Sequence, residues 1–164
     1  MLREGGKMEK LEFLKGVSIF SKLKPSQLKK FAGIMEEEKH EEGAIIFNES
    51  DPGDKLYVVC SGVVEVKKTV PLENGKEGVR LARFGKGEIF GEMAFFDNQP
   101  RSATALAYLK TELLVLKKDK LAKLFEADPS LEATCSREIL REVIARLRGA
   151  DETIRDLTRN LLYF

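Results

Sequence analysis

The stretch F-G-E-M-A-F-F-D-N-Q-P-R-S-A-T, residues 90–104, places two opposite charges inside the most apolar part of the chain. Glu92 directly follows a glycine, and Arg101 follows a proline. Good helix formers after Gly91 predict a short helix that begins there, and the first N–H groups of a helix have no partner within it. The run S-A-T-A-L-A after Pro100 predicts a strand that can bring Arg101 back to this helix start. The stretch therefore predicts an anion site where an arginine and backbone amides meet.

The residue types around this site favour a ligand that carries one phosphate and a free hydroxyl group. Arg101, the hydroxyl of Ser102 and the amides near Met93 and Ala94 are suited to hold a phosphate through charge-assisted hydrogen bonds. A carboxylate would repel a phosphate, so Glu92 suits a hydroxyl donor, of which a ribose 2′-hydroxyl is the obvious example. The alternative is an internal ion pair between Glu92 and Arg101 that holds a loop, although buried pairs mostly cost as much as they contribute.

The sequence on both sides of this stretch shows a series of short predicted strands. Between residues 41 and 116, β-branched and aromatic runs alternate with glycine-rich turns, and Asn74-Gly75 is a strong hairpin signal. The runs are A-I-I-F, L-Y-V-V-C, V-V-E-V, V-R-L-A-R-F, E-I-F, S-A-T-A-L-A and E-L-L-V-L. Seven or eight strands without helical crossovers predict a mainly β fold, either an antiparallel sandwich or a jelly roll.

Helical patterns flank the strands at both ends. Residues 10–35 carry two apolar stripes of helical spacing, and Pro25 fits the first turn of the second helix. After the last strand, Asp119 is predicted to cap a short helix. Asp128 and Pro129 are predicted to begin a long helix that runs toward the C-terminus.

The long helix contains a second informative pattern. Its apolar residues recur at alternating spacings of 3 and 4 for three heptads, as in the a/d seam of a two-stranded coiled coil. The seam consists of Leu140, Val143, Leu147, Ala150, Ile154, Leu157 and Leu161. The alternative is an amphipathic helix on its own β domain, which generally needs a broader stripe. We predict one unit at 1–128, with the N-terminal helices, the β region and the short helix, and a helix at 129–164 that forms a homodimer.

The composition excludes several classes of protein. The 164 residues are 43% hydrophobic, which suffices for one ordinary core. The 28 Lys and Arg residues nearly balance the 27 Asp and Glu residues, unlike the one-signed charge of a nucleic-acid or membrane-surface binder. No apolar run is long enough for a membrane span. Cys60 and Cys135 have no C-x-x-C spacing and follow no signal peptide, so we interpret them as reduced thiols in a cytoplasmic protein.

The sequence does not indicate catalysis or a metal site. The only histidine, His40, lies in the charged run E-E-E-K-H-E-E, which we interpret as a solvated surface segment. One histidine cannot form a His/Cys cluster for zinc, haem or an iron–sulfur centre. We find no nucleophile with an adjacent base, and therefore expect no enzyme activity.

The quoted stretch closely resembles the phosphate-binding cassette of cyclic nucleotide-binding domains. This module is shared by the catabolite activator family, regulatory subunits of cAMP-dependent kinase and cyclic-nucleotide-gated channels. Its motif is G-E-[LM]-A, a spacer and P-R-[AST]-A-T. The matching residues are Gly91, Glu92, Met93, Ala94, Pro100, Arg101, Ser102, Ala103 and Thr104. The runs at 52–66 and 84–91 are also similar to the parts of the module that precede the cassette.

The resemblance implies a fold and a set of ligand-binding residues. The fold would be an antiparallel β jelly roll (double-stranded β-helix) with N-terminal helices and a long C-terminal helix. The implied site residues are Gly91, Glu92, Met93, Ala94, Arg101 and Ser102. Glu92 would bind the ribose 2′-hydroxyl and Arg101 the cyclic phosphate, with Ser102 and the amides of the short helix completing the phosphate site.

The resemblance also bears on the base of the nucleotide. Members that favour cGMP often have Thr where this chain has Ser102, so cAMP is the favoured ligand and cGMP stays open. The base is usually capped from the helix after the roll. Arg146, Leu147, Ala150 and Asp151 are all candidates for this cap, and the register of the helix decides among them.

The predicted function is a cyclic-nucleotide sensor that acts on a partner protein through its C-terminal helix. Regulators of this family continue into a helix-turn-helix domain, whereas this chain ends at L-L-Y-F, so we expect a stand-alone sensor without direct DNA binding. The sequence does not identify the effector protein. One alternative is the truncated ligand-sensing half of a catabolite-activator-type regulator. Another is a structural dimer with a vestigial pocket.

Overall fold

The computed structural model describes residues 7–72 and 75–162. They form two antiparallel sheets, and helices precede and follow the strands in the sequence. The N-terminal part contains α1 (Lys7–Lys15), a 3₁₀ helix (Ser18–Phe20) and α2 (Pro25–Ile34). The strands are β1 (Glu36–His40), β2 (Ile45–Phe47), β3 (Lys55–Ser61), β4 (Val64–Leu72), β5 (Gly75–Phe84), β6 (Ile89–Phe90), β7 (Thr104–Ala107) and β8 (Thr111–Lys117). The remaining helices are α3 (Glu92–Asp97), α4 (Lys118–Ala127) and α5 (Pro129–Leu162).

The two sheets confirm the predicted antiparallel jelly roll. One sheet has the strand order β1-β8-β3-β6, and the other has the order β2-β7-β4-β5. Every strand pair in the described residues is antiparallel. Asn74 of the predicted hairpin turn lies outside the described residues, and β4 and β5 pair as far as Leu72 and Gly75.

The first sheet is buried on both faces, which explains the continuous apolar runs of its central strands. On β3, Tyr57 and Val59 pack in a core between the two sheets. The alternate residues Leu56 and Val58 pack in a second core against the helices. Because successive side chains of a strand point to opposite faces, two buried faces require apolar residues at every position. The cavity described below opens at the edge of the core between the sheets.

Most of the helix boundaries agree with the sequence prediction. Pro25 begins α2, as predicted. Asp128 precedes α5, and its Oδ1 accepts a hydrogen bond from the amide of Leu131 at 3.2 Å. The predicted cap at Asp119 is wrong, because β8 runs directly into α4 and Asp119 lies within the first turn of that helix.

The first five residues of the charged run E-E-E-K-H-E-E form an ordered strand that the sequence did not predict, and none of them is buried. Residues 36–40 make up β1 and pair with β8. Cations on neighbouring elements compensate the acidic side chains, including Lys117 2.8 Å from Glu36 and Lys55 3.0 Å from Glu38. A propensity argument missed this strand because these ion pairs depend on residues that are distant in sequence.

The two cysteines are free and buried in the core. Burial raises the pKa of each thiol, that of Cys60 and that of Cys135, to about 12. Both groups are therefore protonated thiols at neutral pH. Within the described residues, no cluster of three or more His, Cys, Asp and Glu side chains is placed to hold a metal ion. None of the described helices combines the length and apolar character needed to cross a membrane.

The burial of side chains on α5 changes along its 34 residues. Near its start, Leu131 and Cys135 are buried against the N-terminal helices and α4. Farther along, Leu147 and Ile154 are each 61% exposed. The first part of α5 therefore anchors the helix, whereas the middle part passes the mouth of the cavity.

Candidate ligand-binding site

Gly91 connects β6 to α3 in a conformation that requires glycine. Its φ is +76°, in the left-handed region, and α3 begins at the next residue, as the sequence predicted. A Cβ atom at this position would lie 2.7 Å from Nη1 of Arg101 and 3.3 Å from the ring of Tyr57. The glycine thus allows the arginine to reach the backbone at the start of the helix.

Arg101 is held from two directions by the backbone. Its own amide donates to the carbonyl of Asp51 at 2.9 Å, and its carbonyl accepts from the amide of Ser50 at 2.9 Å. Its side chain donates from Nη1 to the carbonyl of Gly91 at 2.7 Å and from Nη2 to the carbonyl of Lys55 at 2.6 Å. These bonds fix the guanidinium group between β3 and the start of α3.

The guanidinium group of Arg101 retains unused donors. A guanidinium has five N–H groups, and the buried Nε has no hydrogen-bond partner. The residue is only 3% exposed, and burial lowers the pKa of Arg101. Within the described residues, no carboxylate lies within ion-pair distance of this cation. A buried cation bonded only to neutral carbonyls is a strong candidate to bind an anion.

Glu92 forms an ion pair with Arg146 of α5 and not with Arg101. Nη1 of Arg146 donates to Oε1 of Glu92 at 3.0 Å, and Nη2 donates to the carbonyl of Ile89 at 2.6 Å. The internal Glu92–Arg101 pair considered from the sequence is therefore absent from the described residues. Oε2 of Glu92 accepts no hydrogen bond from a described side chain or backbone amide, so it can accept one from a ligand hydroxyl.

Both charged residues line one cavity of about 430 Å³. This volume falls in the range of about 300–1,000 Å³ that is usual for small-molecule sites. The walls come from the two sheets, α3 and α5. The lining residues are Phe47, Val66, Leu81, Ala82, Phe84, Phe90, Gly91, Glu92, Met93, Ala94, Arg101, Ser102, Ala103, Val143, Arg146, Leu147 and Ala150. A cavity with apolar walls and a few convergent charges suits a ligand with a flat apolar part and a charged part.

The structure brings all six sequence-predicted site residues to this cavity. These residues are Gly91, Glu92, Met93, Ala94, Arg101 and Ser102. Of the four candidates for a cap on α5, Arg146, Leu147 and Ala150 line the cavity, whereas Asp151 does not. The first three therefore remain candidates for contact with a base.

Sequence reasoning did not identify Phe47, and it named Arg146 only as a candidate for the base cap, not as the partner of Glu92. The ring of Phe47 lies 4.2 Å from the guanidinium carbon of Arg101, close enough for a cation–π contact. Arg146 compensates the charge of Glu92 from a helix that begins far away in sequence. The strand alternation around Phe47 hinted at an inward ring, but the partner of Glu92 depends on where α5 crosses the sheets.

Comparison with known proteins gives a consistent result. The family described as cyclic nucleotide-binding domain matches residues 37–128. The cyclic AMP receptor protein of Thermus thermophilus is 33% identical over 84% of this chain and 61% of its own length. A cAMP-dependent protein kinase regulatory subunit of Colletotrichum orbiculare is 33% identical over 69% of this chain and 27% of its own.

Solved structures show the same similarity. A crystal structure of a cyclic nucleotide-binding domain from Methylobacillus flagellatus is 30% identical, with a TM-score of 0.77, and the match covers 90% of this chain and 82% of that one. The chain spans about three fifths of the length of the regulator it matches from T. thermophilus and about a quarter of the kinase subunit. The region that the family matches contains β2 to β8 and α3 with Glu92 and Arg101, whereas Arg146 lies beyond it.

Proposed function

Because this chain belongs to the cyclic nucleotide-binding domain family, we propose that it is a cyclic-nucleotide sensor with cAMP as its preferred ligand. The observation that carries the proposal is the state of Arg101. This arginine is buried on the cavity wall and bonded to two carbonyls, and no carboxylate of the described residues pairs with it. A cyclic phosphate would supply a compensating negative charge, and its oxygens would accept hydrogen bonds from the N–H groups that remain free.

The sugar would bind at Glu92. Because Arg146 takes Oε1 of this carboxylate, Oε2 is left to accept a hydrogen bond from the ribose 2′-hydroxyl. The pair with Arg146 also orients the carboxylate, because the same guanidinium is tied to the carbonyl of Ile89. The cavity would therefore favour a nucleotide that has a hydroxyl group close to its phosphate.

The base would lie between the apolar sheet residues and α5. Phe84 and Leu81 contribute one wall, and Leu147 and Ala150 contribute the opposite one. The preference for cAMP is supported by Ser102, where cGMP-preferring members often have Thr, and by the ligand in the names of the relatives from T. thermophilus and C. orbiculare. The ligand would thus contact the helix that leads out of the domain.

The output of the sensor would pass through α5 to a partner protein. A ligand shifts a conformational equilibrium only by its difference in affinity between two arrangements. Contacts from Leu147 and Ala150 to the base would provide such a difference, since they depend on the position of α5. We expect this regulatory role to involve no enzyme chemistry and no direct binding of DNA.

Calorimetric titration of the purified chain tests the proposal. We expect binding of cAMP, weaker binding of cGMP, and little binding of 5′-AMP, whose phosphate does not form a ring with the ribose. The 2′-deoxy form of cAMP should bind about fivefold to tenfold more weakly, since it lacks the donor for Glu92. If no cyclic nucleotide produces heat at millimolar concentration, the cavity is vestigial and the sensor proposal is wrong.

We further infer that the exposed stripe of α5 joins two copies of this chain. Leu140, Leu147, Ile154 and Leu157 are 58%, 61%, 61% and 59% exposed. Four large apolar side chains on one helix stripe are unfavourable in water, and their 3-4 spacing matches the same stripe of a second copy. Leu161 belongs to the predicted seam, but its side chain lies outside the described residues.

Sedimentation tests this dimer with a matched pair of variants. Ile154→Asp places a charge in the seam and should convert the dimer to a monomer, whereas Arg155→Asp, one position away and off the seam, should leave the dimer intact. Neither residue lines the cavity, so cAMP binding reports separately on the fold. A dimer that persists in Ile154→Asp would exclude this stripe as the interface.

A further inference from the structure

We propose that Lys68 is a positioning residue for the phosphate end of the cavity, acting through Ser102. This inference depends on the proposed function, because it requires a bound cyclic phosphate, which the sequence analysis expects Ser102 to contact. Lys68 lies on β4, far in sequence from the motif that contains Ser102. The two meet only in the folded chain.

Ser102 itself lies outside regular secondary structure. The segment from 98 to 103 connects α3 to β7, so neither helix nor sheet hydrogen bonds fix the residue that follows Arg101. Arg101 is fixed by its paired bonds to the loop at 50–51. Ser102 is exposed at the cavity mouth, where a hydroxyl without support would sample several positions.

Lys68 supplies the missing support. Its Nζ donates to the carbonyl of Ser102 at 2.8 Å and to Oε1 of Glu49 at 2.9 Å. The amide of Glu49 in turn donates to Oγ1 of Thr104 at 3.0 Å. Lys68 therefore holds the carbonyl of Ser102 directly, and Glu49 links Lys68 to Thr104, two residues farther along the chain.

The strand geometry places Lys68 on the face of β4 that forms the cavity. Val64 packs in the core between the sheets and Val66 lines the cavity, so Lys68 follows on the same face at the rim. Glu65 and Lys67 lie on the opposite face, where they pair with each other at 2.9 Å. The pairing of β4 with β7 is regular as far as Lys67 opposite Thr104, so Lys68 comes level with Ala103, next to Ser102 in the chain.

This arrangement has a consequence for binding. Holding the carbonyl of Ser102 limits the rotation of its backbone, so only rotation about χ1 is left to bring the hydroxyl to a phosphate. Lys68 also adds positive charge at the rim, partly compensated by Glu49. Substitution of Lys68 should therefore weaken the binding of a cyclic phosphate, chiefly through the position of one hydroxyl.

The experiment is a double-mutant cycle on the full chain, with cAMP as the probe. Lys68→Met should weaken binding about threefold to tenfold, the effect of roughly one hydrogen bond, and Lys68→Arg should restore it to within about twofold. In a Ser102→Ala background, Lys68→Met should change affinity by less than about twofold, because the group that it positions is gone. Lys86→Met, an exposed lysine with no described partner, is the control and should bind as the wild type does.

The outcomes separate this inference from the proposed function. If the wild-type chain binds neither cAMP nor cGMP, the proposed function fails before any variant is made. If the wild type binds and Lys68→Met binds equally well, Lys68 has no positioning role. An equal loss in the wild-type and Ser102→Ala backgrounds would also overturn the inference, because Lys68 would then act on something other than Ser102.

Discussion

Two buried charged groups of this protein, Glu65 and Arg101, have opposite surroundings. Each residue is 3% exposed. The charge of Glu65 is compensated by two cations of the same chain, since Lys67 lies 2.9 Å and Arg83 lies 2.7 Å from its carboxylate oxygens. The guanidinium carbon of Arg83 also lies 3.6 Å from the centre of the Tyr108 ring. Among the residues that the structure describes, Arg101 has no carboxylate partner, and its buried Nε has no acceptor. The charge of Glu65 is thus compensated by described side chains, whereas we propose that an anionic ligand compensates that of Arg101.

The pKa shifts express the same difference. Hydrogen bonds from Lys67 and then from Arg83 lower the pKa of Glu65, so its neighbours favour the charged form. Burial lowers the pKa of Arg101, so the surroundings of this residue disfavour its charge. The proposed binding of a cyclic phosphate would compensate this charge. Burial alone would not have distinguished Glu65 from Arg101, because each residue is 3% exposed.

The largest expected effect is the loss of nucleotide binding in Arg101→Ala. We expect affinity for cAMP to fall by about tenfold to a hundredfold, since hydrogen bonds to a charged group contribute about 1.5–3 kcal/mol. Calorimetry measures the affinity, and urea unfolding shows that the variant remains folded. Unchanged affinity would remove Arg101 from the site.

Glu65→Ala is the counterpart that makes this prediction specific. It leaves Lys67 and Arg83 without their shared partner, so it should lower the free energy of unfolding more than Arg101→Ala does. Its cAMP affinity should stay within about twofold of the wild type, because the Glu65 side chain lies on the face of β4 away from the cavity. If Glu65→Ala loses cAMP affinity as strongly as Arg101→Ala does, the loss does not identify a ligand contact. Glu65 would then not be a purely structural residue, and Arg101 could not be assigned to the site on this evidence.

The smallest expected effect concerns a third charged group, Glu36 on the edge strand β1. Hydrogen bonds from Lys117 and then from Lys120 lower the pKa of Glu36 from 4.5 to about 2. A lowered pKa stabilises the fold above the unfolded-state value, and this contribution is lost as the pH falls from about 4.5 toward about 2. The side chain is 40% exposed, so solvent screens the pair and the effect should be modest.

Urea unfolding across this pH range measures the contribution of Glu36. We expect Glu36→Gln to be less stable than the wild type at pH 6 and the two curves to converge near pH 2. Glu42→Gln, an exposed acidic position with no described partner, should run parallel to the wild type. A constant difference between Glu36→Gln and the wild type would show that the effect is not the ionisation of this carboxyl.

The sequence predicted much of the fold because its patterns are local. Alternating apolar runs and turn residues determine strands, and Pro25 and Asp128 mark helix starts whatever lies around them. The sequence missed elements whose stabilising partners are distant in sequence. A propensity argument missed β1 because its charges are compensated by Lys55 and Lys117 from other elements.

The sequence alone determined the chemistry of the cavity, since a glycine that permits a tight turn, a carboxylate and an arginine all lie within a short stretch around residues 91–101. Only the tertiary structure decided how those groups are paired. Arg146 meets Glu92 because α5 crosses the mouth of the cavity. Lys68 meets Ser102 because β4 lies beside β7. The physical reason is that residue type fixes which interactions a group can make, whereas the packing of distant elements decides which of them it does make.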